Sequence, residues 1–168
     1  MSDFEGEEVY RVAEKRPLTD ERPETTLIER AGVEALLPHR DPFLLIDRVT
    51  RLDFDGGLVV ARYDLGRAAD VFAGHFPARP MYPGVLHIEA IGQAGILLAV
   101  LAGADEDRPT SISLTHVRAA RFLRPIGPGG ELEIVARIFD DGLFLTVVGQ
   151  CLVGGEVCSA AALSGLVG

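Results

Sequence analysis

Glu89 and Gln93 stand four residues apart in the most apolar stretch of this chain, so any helix formed there carries both on one face. Burying a carboxylate without partners costs on the order of several kcal/mol, which makes that face a candidate for chemistry. Just upstream, Gly74-His75-Phe76-Pro77 lies in a stretch stiffened by Pro77, Pro80 and Pro83 that leads into a helix start at Gly84. An imidazole held beside a carboxyl group in an apolar setting gives two titratable groups whose pKa values burial can separate, as acid-base catalysis requires. The first N–H groups of the helix, at Gly84 and Val85, add a site for negative charge developing on an oxygen. On residues alone, a glutamate paired with an arginine and an ordinary packed histidine fit the same pattern.

The elements that must position these groups follow from periodicity and breakers. Gly84 to about Ala102 reads as one long helix, apolar nearly all round and therefore buried. A short helix around Ile28–Leu37 must stop near Pro38. Strands are expected at Phe43–Leu52, Gly57–Leu65, Ser111–Phe122, Glu131–Asp140, Leu143–Leu152 and Glu156–Leu166, with turn chemistry at Asp55-Gly56-Gly57, Asp141-Gly142 and Gly154-Gly155. Residues 66–83 read as a stiff loop. The fold class is α+β: a curved antiparallel sheet of about six strands around one buried helix. Residues 1–30, acidic and aperiodic, read as a loosely ordered extension, and 31–168 as the domain.

With 25 acidic and 16 basic residues the formal charge is −9, which repels a phosphate backbone and argues against nucleic acid. Met1–Arg16 lacks the apolar core of a secretory signal. The longest apolar run, Ala94–Ala104, is short of the roughly 20 residues a bilayer span needs. A cytoplasmic protein without a membrane partner is expected. Cys151 and Cys158 are expected opposite one another across a hairpin at Gly154-Gly155, as reduced packing thiols. The four histidines, at 39, 75, 87 and 116, are not spaced as a metal cluster. His87, two residues from Glu89, points to the other side of the helix, and His39 and Arg40 read as structural contacts.

Gly74-His75-Phe76-Pro77-Ala78-Arg79-Pro80-Met81-Tyr82-Pro83-Gly84-Val85-Leu86, followed by Glu89 and Gln93, resembles the signature of the 3-hydroxyacyl-acyl-carrier-protein dehydratases of type II fatty acid synthesis. Leu37-Pro38-His39-Arg40-Asp41-Pro42-Phe43-Leu44-Leu45-Ile46-Asp47-Arg48-Val49 resembles that family's opening block, and Ala120–Pro125 with Pro128-Gly129 its third. The resemblance spans about residues 30–166. It implies a hot-dog fold and a homodimer or higher homo-oligomer, a heterodimer being the variant, whose sites take the loop histidine from one subunit and the helix glutamate from the other. His75 and Glu89 match those catalytic positions. Gly84 matches the glycine whose N–H holds the thioester carbonyl, with Val85, Gln93 and Phe76 as substrate-binding neighbours. No cofactor is implied beyond the phosphopantetheine of the acyl carrier protein that bears the substrate.

The chain departs from the family at Asp41, where tyrosine is frequent, and at Arg118-Ala119, where charged residues are usual. In the family it resembles, members that also isomerise the double bond usually carry aspartate at the position of Glu89, so the resemblance implies dehydration alone. Arg108, Arg118, Arg121 and Arg124 lie in a stretch without acids and, with Arg79, form a candidate docking patch for an acidic carrier protein. An ordinary solvated strand face is the alternative. Fatty acid or related polyketide and polyene synthesis is the expected setting. The rival readings are a hot-dog acyl thioesterase and a weakly active subunit of a heterodimeric dehydratase.

Overall fold

Helix α4 (Gly84–Ala102) follows directly on Pro83, whose extended backbone sets the helix start. It runs through the middle of a computed structural model that describes residues 6–103, 112–140 and 143–168. In chain order the other elements are α1 (Glu7–Ala13), α2 (Arg30–Leu36), β1 (Arg48–Asp53), β2 (Leu58–Asp64), a 3-10 turn at Leu65–Ala68, α3 (Ala69–Gly74), β3 (Ile112–Phe122), β4 (Glu131–Asp140), β5 (Phe144–Val153) and β6 (Glu156–Val167). All six strands form one antiparallel sheet in the order β1-β2-β4-β5-β6-β3. Alternate residues of that sheet, among them Val59, Ile134, Val147 and Leu163, close on Ala90, Ile91, Ala94, Leu97 and Leu98 of α4 in a single core. Each large aliphatic side chain buried there contributes roughly 1.5–3 kcal/mol. A sheet wrapped around one long helix is the hot-dog arrangement.

The sheet covers only one side of α4. Val85 is 70% exposed, and Ile88, Glu89, Gly92 and Ile96 are half-buried, so an apolar circumference does not make this helix buried all round. Although α4 is long and apolar enough by length and composition to cross a membrane, its inner face is spent on the sheet.

The first residues are not a loose extension where the structure describes them. Tyr10 and Ala13 of α1 bury against Val148, Ala160 and Ala162 on the outer face of β5 and β6. The fully buried Gln150 then takes up the backbone beyond α1: its Nε2 donates to the carbonyls of Ala13 at 2.8 Å and Arg16 at 3.2 Å, and its Oε1 accepts from Leu18 N at 2.6 Å. Farther on, Arg22 pairs with Glu133 at 3.0 Å and Glu24 with Arg62 at 3.2 Å, and Leu27 N donates to Val49 O at 2.8 Å. Residues 7–28 are thus a strap across the outer face from β6 to β1, and its partners lie more than a hundred residues away in much of its length.

Three further elements differ from expectation. β1 begins at Arg48 rather than Phe43, because the backbone of Phe43–Leu45 bonds to the Gln93 side chain instead of a strand. Residues 69–74 form α3, since the prolines that stiffen the loop begin only at Pro77. The Gly154-Gly155 turn has both residues in the left-handed region, as a tight hairpin requires, yet a bulge beyond Leu152 sets Cys151 opposite Ser159 rather than Cys158. Both thiols are free and buried, and burial pushes that of Cys151 up to about 12.

Candidate active site

Glu89 and Gln93 lie one turn apart on the uncovered side of α4, where the helix faces the segment that precedes β1. Gln93 Nε2 donates both to Glu89 Oε1 at 2.8 Å and to Phe43 O at 2.7 Å, while its Oε1 accepts from Leu45 N at 2.9 Å. Reversing that amide would set its N–H against Leu45 N–H and its oxygen against a carbonyl, so the orientation toward Glu89 is fixed. His39 Nε2 stands 3.5 Å from the same Glu89 oxygen. Its Nδ1 is buried with no partner among the described residues. The carboxylate itself is 29% exposed in a single chain, so the full burial expected of it is not provided by its own sheet.

From Glu89 a cleft of about 180 Å³ runs along α4. Apart from His39, Glu89 and Gln93 its walls are apolar, with Ile88, Gly92 and Ile96 on the helix and Leu114, Val147 and Leu163 on the strands. One polar end and a hydrocarbon body suit a ligand that is an acyl chain with a reactive head.

His75 occupies the C-cap of α3, with its N–H on Val71 O at 2.9 Å. Its ring Nδ1 lies 2.9 Å from Met81 O. A carbonyl can only accept, so Nδ1 carries a hydrogen, and in the neutral ring the lone pair is then on Nε2. Met81 N returns a bond to His75 O at 2.9 Å, closing the loop into the start of α4. Among the described residues no side chain caps that helix, so the N–H groups of its first turn have no side-chain acceptor there. A Cβ at Gly84 would lie 2.7 Å from the half-exposed Phe122 ring, which a side chain there would have to displace. His75 does not line the cleft beside Glu89, and the adjoining Phe76 is 55% exposed. One chain therefore keeps the two groups apart: an imidazole on the loop that leads to a helix N-terminus, and a carboxylate at the mouth of an apolar cleft.

A family model described as a FabA-like domain matches residues 37–161. The chain belongs to the FabA-like family. It is 38% identical over 151 residues to the 3-hydroxyacyl-[acyl-carrier-protein] dehydratase FabZ of Anaeromyxobacter sp. (strain K), covering 89% of this chain and 90% of the relative. The FabZ of a Nitratiruptor species is 33% identical over 146 residues, covering 84% of this chain and 98% of the relative. Among solved structures, the dehydratase heterocomplex ApeI:P from Xenorhabdus doucetiae superposes with a TM-score of 0.64 at 21% identity, over 81% of this chain and 90% of that one. A mutant thioesterase from Pseudomonas aeruginosa gives 0.59 at 19% identity, over 84% and 95%. At such identities these two bear on the fold alone.

Within this FabA-like chain the remaining candidates separate. His87 faces the core, its Nδ1 2.9 Å from Ser159 Oγ and its ring stacked on Tyr82, and burial pulls its pKa down to about 4. It is a packing residue, as its spacing from Glu89 implies. Arg40 caps the chain turn through the carbonyls of Leu37 and His39. Of the candidate docking arginines, Arg118 binds Ser164 Oγ at 3.0 Å, Arg121 meets Glu14 of the strap at 3.4 Å, and Arg124 meets Val157 O at 2.9 Å and Glu156 at 3.6 Å. Two of the three thus already face carboxylates, and Arg79 stands apart on the exposed loop. Arg108 lies outside the described residues. The approach of His39 to Glu89 has no signal in the sequence: the two are fifty positions apart and no local pattern links them.

Proposed function

We propose that this chain removes water from a (3R)-3-hydroxyacyl thioester on an acyl carrier protein, giving the trans-2-enoyl thioester, in fatty acid or related polyketide and polyene synthesis. The observation that carries the reading is the His75 bond to Met81 O, which leaves Nε2 as a base on a loop that ends at an uncapped helix N-terminus. With the thioester carbonyl on the Gly84 N–H, charge delocalised onto that oxygen acidifies the α-carbon, and His75 Nε2 takes the α-proton. The electron pair left behind forms the Cα–Cβ double bond. Glu89, oriented by Gln93, delivers a proton to the β-hydroxyl as the Cβ–O bond breaks, and water departs. Hydrolysis of the thioester would use the carboxylate but would leave the loop base idle.

The two groups meet in a dimer. β3 is an edge of the sheet, with Leu114 60% exposed, Val117 49% and Phe122 53%. An edge strand with apolar side chains pairs readily with another copy of itself. Such pairing supplies the cover that the outer side of α4 lacks and sets the His75 loop of one copy against the Glu89 cleft of the other. The carrier protein docks near this loop through Arg79, Arg118, Arg121 and Arg124, and its phosphopantetheine delivers the substrate.

The test is to offer the purified chain 3-hydroxyacyl carrier proteins and follow water loss by mass. His75→Ala is expected to lower turnover by at least about 10²–10⁴-fold with the fold intact. Retained turnover contradicts the assignment, and water loss only after a second, different chain is added would make this protein one half of a heterodimeric enzyme.

A further inference from the structure

Two interior glycines of α4, Gly92 and Gly95, answer different needs. A Cβ on Gly95 would lie 2.4 Å from Val147 Cγ2, so the helix can approach β5 only with glycine at that position. A Cβ on Gly92 would meet a single neighbour, Leu163 Cδ1 at 3.5 Å, which is ordinary van der Waals contact. Within one chain the packing therefore does not require glycine at 92. Helix propensity argues against it as well, because in a helix interior only proline is less favourable.

What Gly92 does have is the cleft. It lines that space between Ile88 and Ile96, one turn from each, beside the Gln93 that holds Glu89. With a rise of about 1.5 Å per residue, Gly92 lies roughly 4.5 Å along the helix from Glu89 and Ile96 roughly 10 Å. A substrate whose reacting carbons sit at the Glu89 carboxyl and whose tail runs toward Ile96 passes Gly92 within its first methylenes. Across the cleft, Gly165 of β6 is different again: a Cβ there would lie 2.8 Å from Ile112 Cγ2, so that glycine is required by its neighbours. Gly92 is the cleft-lining glycine that the fold leaves free to change.

We infer that Gly92 is a specificity-determining residue: its missing side chain leaves the passage along α4 open, and through it the enzyme accepts 3-hydroxyacyl groups whose tails are longer than that of the four-carbon chain. The inference rests on the dehydratase reading above.

The experiment measures kcat/KM for wild type, Gly92→Ala and Gly92→Leu against a ladder of 3-hydroxyacyl carrier proteins from the four-carbon chain upward, with melting curves for each variant. Gly92→Ala is expected to melt at or above the wild-type temperature. The ratio of longer-chain to four-carbon kcat/KM should fall about tenfold in Gly92→Ala and further in Gly92→Leu, the scale on which single methylenes are discriminated. A fall by one common factor at every length, or an unchanged ratio in both variants, overturns the inference. If wild type dehydrates no member of the ladder, the dehydratase reading fails by itself. Calorimetric binding of unreactive saturated acyl carrier proteins of the same lengths then decides on Gly92: a length limit that shortens in the variants upholds its role, and binding independent of length in all three proteins ends it.

Discussion

One side of α4 builds the fold and the other builds the site, and the two sides obey opposite rules. Ala90, Ile91, Ala94, Leu97 and Leu98 are fully buried under the sheet, and Gly95 between them leaves no room for a methyl group. On the far side Val85, Ile88, Glu89, Gly92 and Ile96 face outward or into a cleft, with room for atoms the chain does not itself supply. Volume is what matters on the first side. On the second it is the identity of the polar atoms and the empty space beside them. A helix apolar all round thus has two apolar surroundings, its own core and a cleft that its own sheet leaves open.

The sharpest way to break this comparison is to change chemistry on the outer side without changing volume. Glu89→Gln should lower dehydration by about 10²–10⁴-fold while the melting temperature stays close to that of wild type. A marked loss of stability would mean that the outer side belongs to the fold as well. The inner side is tested by acid. Burial holds His87 neutral with a folded pKa of about 4, below the roughly 6.5 of an unfolded histidine. Protonation therefore favours the unfolded chain: the contribution is fully present above about pH 6.5 and is lost as the pH falls toward 4, on the order of 3 kcal/mol in all. Denaturant unfolding across that window should show the slope, and His87→Asn should flatten it; an equal slope in both proteins would place the acid sensitivity elsewhere. The smallest effect separates the two glycines. Gly95→Ala forces a methyl against Val147 and should cost about 1–3 kcal/mol. Gly92→Ala should cost nothing or stabilise by up to about 1 kcal/mol, and chemical denaturation of both variants side by side reads the difference.

Much of this arrangement was legible in the chain because it depends on local periodicity. The long helix, the strand-turn-strand succession after residue 130 and the one-turn spacing of Glu89 and Gln93 need only neighbouring residues to be recognised. The strap over residues 7–28 did not stand out, because the groups that hold it, Gln150, Glu133 and Val49, come from strands that exist only after folding. The same reason hides His39, which reaches Glu89 across a segment whose backbone is bonded to Gln93. The bulge that parts Cys151 from Cys158 is a one-residue shift in a hairpin whose turn was otherwise readable. The exposed side of α4 was missed because hydropathy reports an apolar surface without saying whether the chain itself or something else will cover it.

The central claim is that His75 and Glu89 act on one substrate from two copies of the chain. It is tested by mixing two variants that are each inactive, His75→Ala and Glu89→Gln, under conditions that let subunits exchange. If each site draws its histidine from one copy and its glutamate from the other, every mixed dimer has one intact site, and an equal mixture should recover about a quarter of wild-type dehydration. If both residues serve within one chain, no mixture contains an intact site. Activity that stays at the level of the separate variants, with exchange confirmed by native mass, would contradict the account.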